Sequence, residues 1–270
     1  MPPILRVFLV VTTALVALTV FLHALSRLGR PGRAAADWCT KAPGLDVVVF
    51  TMTVLPWIGG AAWAGWLGLL GGLTGQLAAL GIWVVGHEFA NREAVRGPRI
   101  VSFINRSVGR WQNHAALWVT AVSVPVFWQV RLAEVLLYPF LVWLLRFPRY
   151  NQAEWVNVSR QKFKGLVGHD LIWCLYCDWM TGVWSLGTEM LRNVESFWCP
   201  IRFYDKKKCD NCTIDFPDVA NGWVNADGTM AQVTELIESK YGSGERSWFG
   251  HPTRLTVEGK SLEAQSRPGP

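Results

Sequence analysis

The stretch Leu45–Gly86, LDVVVFTMTVLPWIGGAAWAGWLGLLGGLTGQLAALGIWVVG, decides the fold class. Asp46, near its start, is its only charged residue. A bilayer core takes about 20 apolar residues as a helix. A run of this length therefore reads as two spans, Leu45–Trp66 and Leu67–Gly86, joined by a connection without Lys or Arg. Gly59, Gly60, Gly71, Gly72 and Gly75 suit such a pair, because helices in lipid approach closely where side chains are small.

Outward from this hairpin, Ile4–Leu25 is a further apolar span with Arg6 and His23 near its ends. No Lys or Arg precedes it and it is long for a signal peptide, so it is expected to be an anchor. A polar loop with Arg27, Arg30, Arg33 and Lys41 follows it. Arg92, Arg96, Arg99, Arg106 and Arg110 follow the hairpin. A hairpin returns the chain to the side it left, so both basic loops share one face, cytoplasmic by the positive-inside rule.

Ala115–Leu145 is too long for one simple span and holds Pro125, Arg131, Glu134 and Pro139. Arg131 and Glu134 stand at i,i+3, where a helix lets them pair. One reading is a single crossing with an extended end. The other, adopted here, is a re-entrant segment or short hairpin that returns the chain to the cytoplasm, because Arg146, Arg149, Arg160, Lys162 and Lys164 follow.

Composition agrees with a membrane chain. Hydrophobic residues make up 51% and charged ones 17%, which points away from an ordinary soluble protein. The 16 tryptophans suit membrane–water interfaces. The net charge of +6 sits beside apolar spans, facing anionic lipid, so a nucleic-acid partner is not expected. The expected fold is mainly α: a polytopic helical membrane domain over 1–148 with three to five membrane segments (about 4–25, 45–66, 67–86 and 115–145). A small cysteine-rich, mostly helical or irregular domain over 149–242 and a flexible tail over 243–270 complete it. Thr229-Met-Ala-Gln232 has the form of a capping box opening a short helix.

His169–Cys212 holds five of the 6 cysteines: Cys174, Cys177, Cys199, Cys209 and Cys212. Each Cys-x-x-Cys pair brings two sulfurs within reach of one ion, and two pairs supply the four thiolates of a tetrahedral zinc or an iron–sulfur cluster. Cys199 is a spare ligand, and Lys206–Lys208 favour thiolate at Cys209. Zinc is expected first, with an iron–sulfur cluster or iron as alternatives. Disulfide or dithiol chemistry, or plain burial in an apolar aromatic run, also fits Cys174 and Cys177.

His87 ends one span, His114 begins the next apolar segment, and His169 opens the cysteine stretch. Together they are candidate ligands for haem or non-haem iron. Gly86-His-Glu-Phe-Ala-Asn-Arg92 resembles the histidine-box style of membrane di-iron oxidases, but 5 histidines in the whole chain do not build that family's repeated pattern. His169, Asp170, Asp178, Glu189 and Glu195 lack a Glu-x-x-His motif, so capping and ion pairing are their ordinary roles. No phosphate loop, catalytic triad or zincin motif is present.

The functional expectation is an integral membrane metal-binding protein, in the cell's inner or plasma membrane, with its cysteine domain on the cytoplasmic side. It would serve as an assembly, accessory or electron-transfer subunit among other membrane-complex subunits. The alternative is a membrane-bound oxidoreductase acting on a lipid-soluble substrate through dithiols or a His/carboxylate iron. A transporter would call for more spans and repeat symmetry.

Overall fold

The computed structural model describes residues 1–145, 147–198, 224 and 227–241; Cys199, Cys209 and Cys212 lie outside them. The described residues are mainly helical and include no β-strand. In chain order the helices are α1 (Pro3–Leu25), α2 (Gly29–Trp38), α3 (Gly44–Thr53), α4 (Leu55–Ala90), α5 (Arg92–Arg96), α6 (Ile100–Val108), α7 (Arg110–Ala121) and α8 (Val124–Leu132). A π-helical turn, Ala133–Leu137, joins α8 to α9 (Tyr138–Leu145), and α10 (Gln152–Trp155), α11 (Gly168–Trp198) and α12 (Met230–Tyr241) follow.

Three helical stretches are long and apolar enough to cross a membrane: Pro3–Leu25, Leu55–Ala90 and Arg110–Leu145. Their apolar surface is largely uncovered by protein, with Val20, Phe21, Trp63, Trp66, Val85, Val119 and Trp143 all exposed. An exposed apolar belt of this extent is what lipid covers.

Within α4 the chain reverses. Ala64 and Gly65 leave helical geometry, and Gly65 takes φ +57, a left-handed value that side chains disfavour. After the reversal, Gly68 and Gly72 face the backbones of Gly60 and Pro56. Trp57 donates to Gln76 Oε1 at 2.6 Å, and Gln76 donates to the carbonyl of Met52 at 2.7 Å. The two arms therefore lie antiparallel, with α3 continuing the first. Gly71 and Gly75, on another side of the second arm, face α1: a Cβ there would stand 2.6 Å from Ile4 O and 2.8 Å from Phe8 O. Thr12 reaches the Gly75 carbonyl at 3.1 Å. Two i,i+4 glycine seams on one arm thus seat two neighbours by direct backbone approach.

Gly75→Leu is expected to cost about 1–3 kcal/mol, since the neighbouring atom is backbone and cannot turn aside. Gly81→Leu, where a Cβ meets nothing within 4 Å, is the matched control. Unfolding midpoints in a denaturing-detergent titration compare the two, and equal midpoints would dismiss the seam.

The chain divides into two compact units, Met1–Trp128 with Gln152–Val183, and Gln129–Asn151 with the chain from Trp184. In the first, α11 lies beside α7 and α8 along a ladder of rings. His114 meets His169 at 5.2 Å between centroids, Trp118 meets Trp173 at 5.5 Å, and Trp128 meets Trp179 at 5.3 Å. Tyr176 donates to Thr120 O at 3.0 Å. The pairings advance together, so the helices are parallel and the chain must return between them. It does so through residues 156–160: Ala42 N donates to Val156 O at 2.9 Å, and Val158 N donates to Thr40 O at 2.8 Å. Gly182, lacking a Cβ, lets the backbone of Trp155 and Val156 pass against α11.

In the second unit Arg131 and Glu134 pair at 2.6 Å and are almost fully buried, 1% and 2% exposed. Gly187 makes room for them, since a Cβ there would meet Val130 at 2.6 Å and Glu134 Oε1 at 3.1 Å. Asn193 donates to the hydroxyls of Tyr138, at 2.9 Å, and Tyr150, at 2.7 Å. Glu189 and Arg192, also buried, pair at 3.3 Å.

Two stretches that the sequence reading left as loops are helical. α2 accommodates Pro31 in its first turn, where a missing N–H costs nothing. Arg92–Arg96 and Ile100–Val108 form α5 and α6. The capping box is present: Thr229 N donates to Gln232 Oε1 at 2.8 Å and Gln232 N to Thr229 Oγ1 at 3.4 Å, opening α12.

Candidate functional site

Two groups of residues singled out in the sequence fall within the first unit: the histidine–carboxylate residues at the start of α11, and the first Cys-x-x-Cys pair one to two turns further on.

Helix α6 begins at Ile100 after Pro98-Arg99, with no Ser, Thr, Asn or Asp to cap it. Its cap comes from far along the chain. Asp170 accepts from Ile100 N and from Val101 N, both at 3.1 Å. The same carboxylate takes Arg99 Nε at 2.8 Å, and Arg99 Nη2 reaches Glu88 at 2.9 Å. Glu88 also accepts from His169 N at 3.1 Å, and His87 Nδ1 accepts from Gly168 N at 3.1 Å. His87-Glu88 and Asp170 therefore cap two helix starts, of α11 and α6, across 81 and 70 residues of chain, with Arg99 as the shared cation.

Burial opposes ionisation of Asp170, but the nearby His169 ring, the hydrogen bond and charge of Arg99 and the Val101 amide outweigh it and hold the carboxyl below its usual range. Burial likewise opposes the Arg99 charge, and its two carboxylate partners reverse that effect. Trp173 Nε1 donates to His169 Nε2 at 3.2 Å, which places the His169 proton on Nδ1, 3.6 Å from Asp170 Oδ1. His87, accepting at Nδ1, carries its proton on Nε2. His87 stacks on Trp83 at 4.9 Å and meets His23 at 5.6 Å.

The structure thus brings His114 to His169, and His87 to the backbone at the start of α11. Among the described residues no group of three or more His, Cys, Asp or Glu side chains is placed to hold a metal ion. The sequence reading missed Arg99 as the hub of the junction. The one local signal was an uncapped helix start directly after it.

Cys174 and Cys177 lie on α11, both half-buried, and both carry free thiols, as does Cys39. Burial pushes the Cys174 thiol up from its ordinary value, and the Arg160 guanidinium partly offsets this by charge and hydrogen bonding. Arg160 sits close enough to feel both thiols, and it pairs with Asp178 at 2.9 Å. Asp178 in turn accepts from Ser159 N at 3.0 Å and Arg160 N at 3.2 Å, which fixes the returning segment over this face of α11. The arrangement is a pair of thiols on one edge of α11 with a cation beside it, and at Cys174 burial outweighs that cation. Against known proteins, the chain matches no family model, no curated protein and no solved structure.

Proposed function

We propose that this is an integral membrane accessory protein whose cysteine-rich segment binds zinc through Cys174, Cys177, Cys209 and Cys212, with Cys199 in reserve. The membrane spans anchor the chain, and the metal ties α11 to the segment beyond it, so that binding energy becomes folding energy. Its role is to dock or assemble other membrane subunits. The observation that carries the reading is that Cys174 and Cys177 are free, half-buried thiols that share Arg160. A guanidinium beside metal-bound thiolates supplies hydrogen bonds to sulfur that tune such a site.

The test is metal content and visible absorption of detergent-purified protein, with Cys174→Ser and Cys209→Ser beside the wild type. About one zinc per chain, colourless and lost in both variants, is the expected result. Iron with a brown spectrum replaces zinc by a cluster and assembly by electron transfer. Absence of metal, with reversible oxidation of the thiols, overturns the reading in favour of dithiol chemistry. Because metal must displace the Cys174 proton, and burial raises that thiol's pKa, zinc retention against a chelator is expected to fall as pH is lowered.

A further inference from the structure

α5 and α6 join two membrane-spanning stretches, α4 and the helical run that begins at Arg110. Their height is set at both ends. Arg99 pins the start of α6 to Glu88 in the last turns of α4, and only Gly109 separates α6 from α7. A short helix fixed in this way is held at the junction of two helical stretches able to cross a membrane.

One side of α6 is anchored to protein through Asp170, and Asn105 accepts from the buried Asn113 at 2.9 Å. The other side is uncovered and apolar: Ile100, Phe103 and Val108 are exposed, and so is Trp111 one turn beyond. Phe103 is 64% exposed and Trp111 79%. Arg92, Arg96, Arg106 and Arg110 are exposed around them, with Glu93 the acidic residue among them. Arg92 lies 3.7 Å above the ring of Phe89, itself 66% exposed. Because His23 meets His87, the end of α1 is at this same end of α4, and Arg27, Arg30 and Arg33 follow directly.

From this we infer that α5–α6 is an anionic-lipid clamp. Phe103, Ile100, Val108 and Trp111 enter the acyl boundary of the leaflet, and Arg92, Arg96, Arg106 and Arg110 hold acidic phospholipid headgroups. The occupant is the leaflet itself, not a protein. The apolar side chains stand at the depth of the span ends, and the charge beside them is complementary to acidic headgroups. The apolar face alone would suit a second copy of the chain, but four exposed arginines repeated across such an interface would repel one another.

The inference rests on the membrane-spanning half of the proposed function and is independent of the metal. Resistance of the wild-type protein to alkaline carbonate extraction checks that half separately. For the clamp, full-length protein is reconstituted in nanodiscs of equal phosphatidylglycerol and phosphatidylcholine, and lipid retained after gentle release is measured by native mass spectrometry. Phosphatidylglycerol is expected in excess over phosphatidylcholine. Arg92→Gln, Arg96→Gln, Arg106→Gln and Arg110→Gln combined should reduce that excess about tenfold or more, each arginine near an anionic surface contributing several-fold. Ser102→Asp with Ser107→Asp, two exposed positions that leave every arginine in place, should also reduce it. Equal retention of both lipids by the wild type, an excess unchanged in either variant, or a Phe103-dependent dimer would each overturn the clamp, even in a protein that resists carbonate.

Discussion

Asp170→Ala is expected to cost the folded protein about 3–5 kcal/mol, the loss typical of a buried ion pair deprived of one member. Its carboxylate serves three donors at once: Arg99, Ile100 N and Val101 N. Removing it leaves a largely buried guanidinium with half its charge compensation and opens the first turn of α6. Asp170→Asn keeps an acceptor oxygen for the amides and should lose less. Unfolding midpoints in denaturing detergent at neutral pH measure both, and an unchanged midpoint for the alanine variant would dismiss the junction as a source of stability.

The pH dependence has a definite sign. Because the Asp170 pKa is lower in the folded state, its contribution is complete above the unfolded value of about 3.9 and is lost as pH falls through the lower folded value. Wild-type stability should therefore drop on acidification below about pH 4. Asp170→Ala, having already lost the interaction, should fall less steeply over that window.

The second large effect is expected at the pair Arg131–Glu134, nearly sealed from solvent in the second unit. Glu134→Ala should destabilise by about 3–5 kcal/mol, because it removes the carboxylate 2.6 Å from a buried guanidinium. Arg131→Met combined with Glu134→Leu should be near neutral or stabilising, since an apolar pair of similar volume carries no desolvation cost. A double variant as unstable as the single one would show that more than the pairing is at stake, as charges inside an apolar helix often serve function. The π-helical turn that begins beside Glu134 marks the same place, such turns being frequent at functional positions.

Some of this was legible in the sequence because the cause was local. Apolar runs marked four segments, about 4–25, 45–66, 67–86 and 115–145, where the structure has three helical stretches able to cross a membrane, and Thr229 with Gln232 foretold the start of α12. Spacing alone foretold that Arg131 and Glu134 meet. Gly60, Gly71, Gly72 and Gly75 stood out as packing glycines and do seat neighbouring backbones, whereas Gly59 faces open space. A helix repeat cannot distinguish a seam from its flank until the partner is known.

What was not legible depends on distant partners. Nothing near His87 and Glu88 says that they will meet the first amides of a helix beginning about 80 residues later. Nothing near Asp170 says that it will cap α6. Helix ends create donors that any suitably placed carboxylate or imidazole can satisfy, so the pairing is decided by topology. The same holds for α2, whose two arginines and Pro31 read locally as loop, and for the returning segment, which bonds with residues 40–42 and with Asp178.

That returning segment also imposes an order of events during synthesis. α1, α3 and α4 find their glycine-lined contacts with one another and can settle in the bilayer as soon as residue 90 has emerged. The amide of Ala42 and the carbonyl of Thr40 belong to that early portion, yet their partners are Val156 and Val158. Until the chain has grown on from residue 90 to residue 158, the loop between the first two spans lacks these partners. It stays open to water, to proteases and to any helper that binds bare backbone. The anchor is thus finished early and its own doorway late, and the closing of residues 40–42 reports that the chain has passed residue 158.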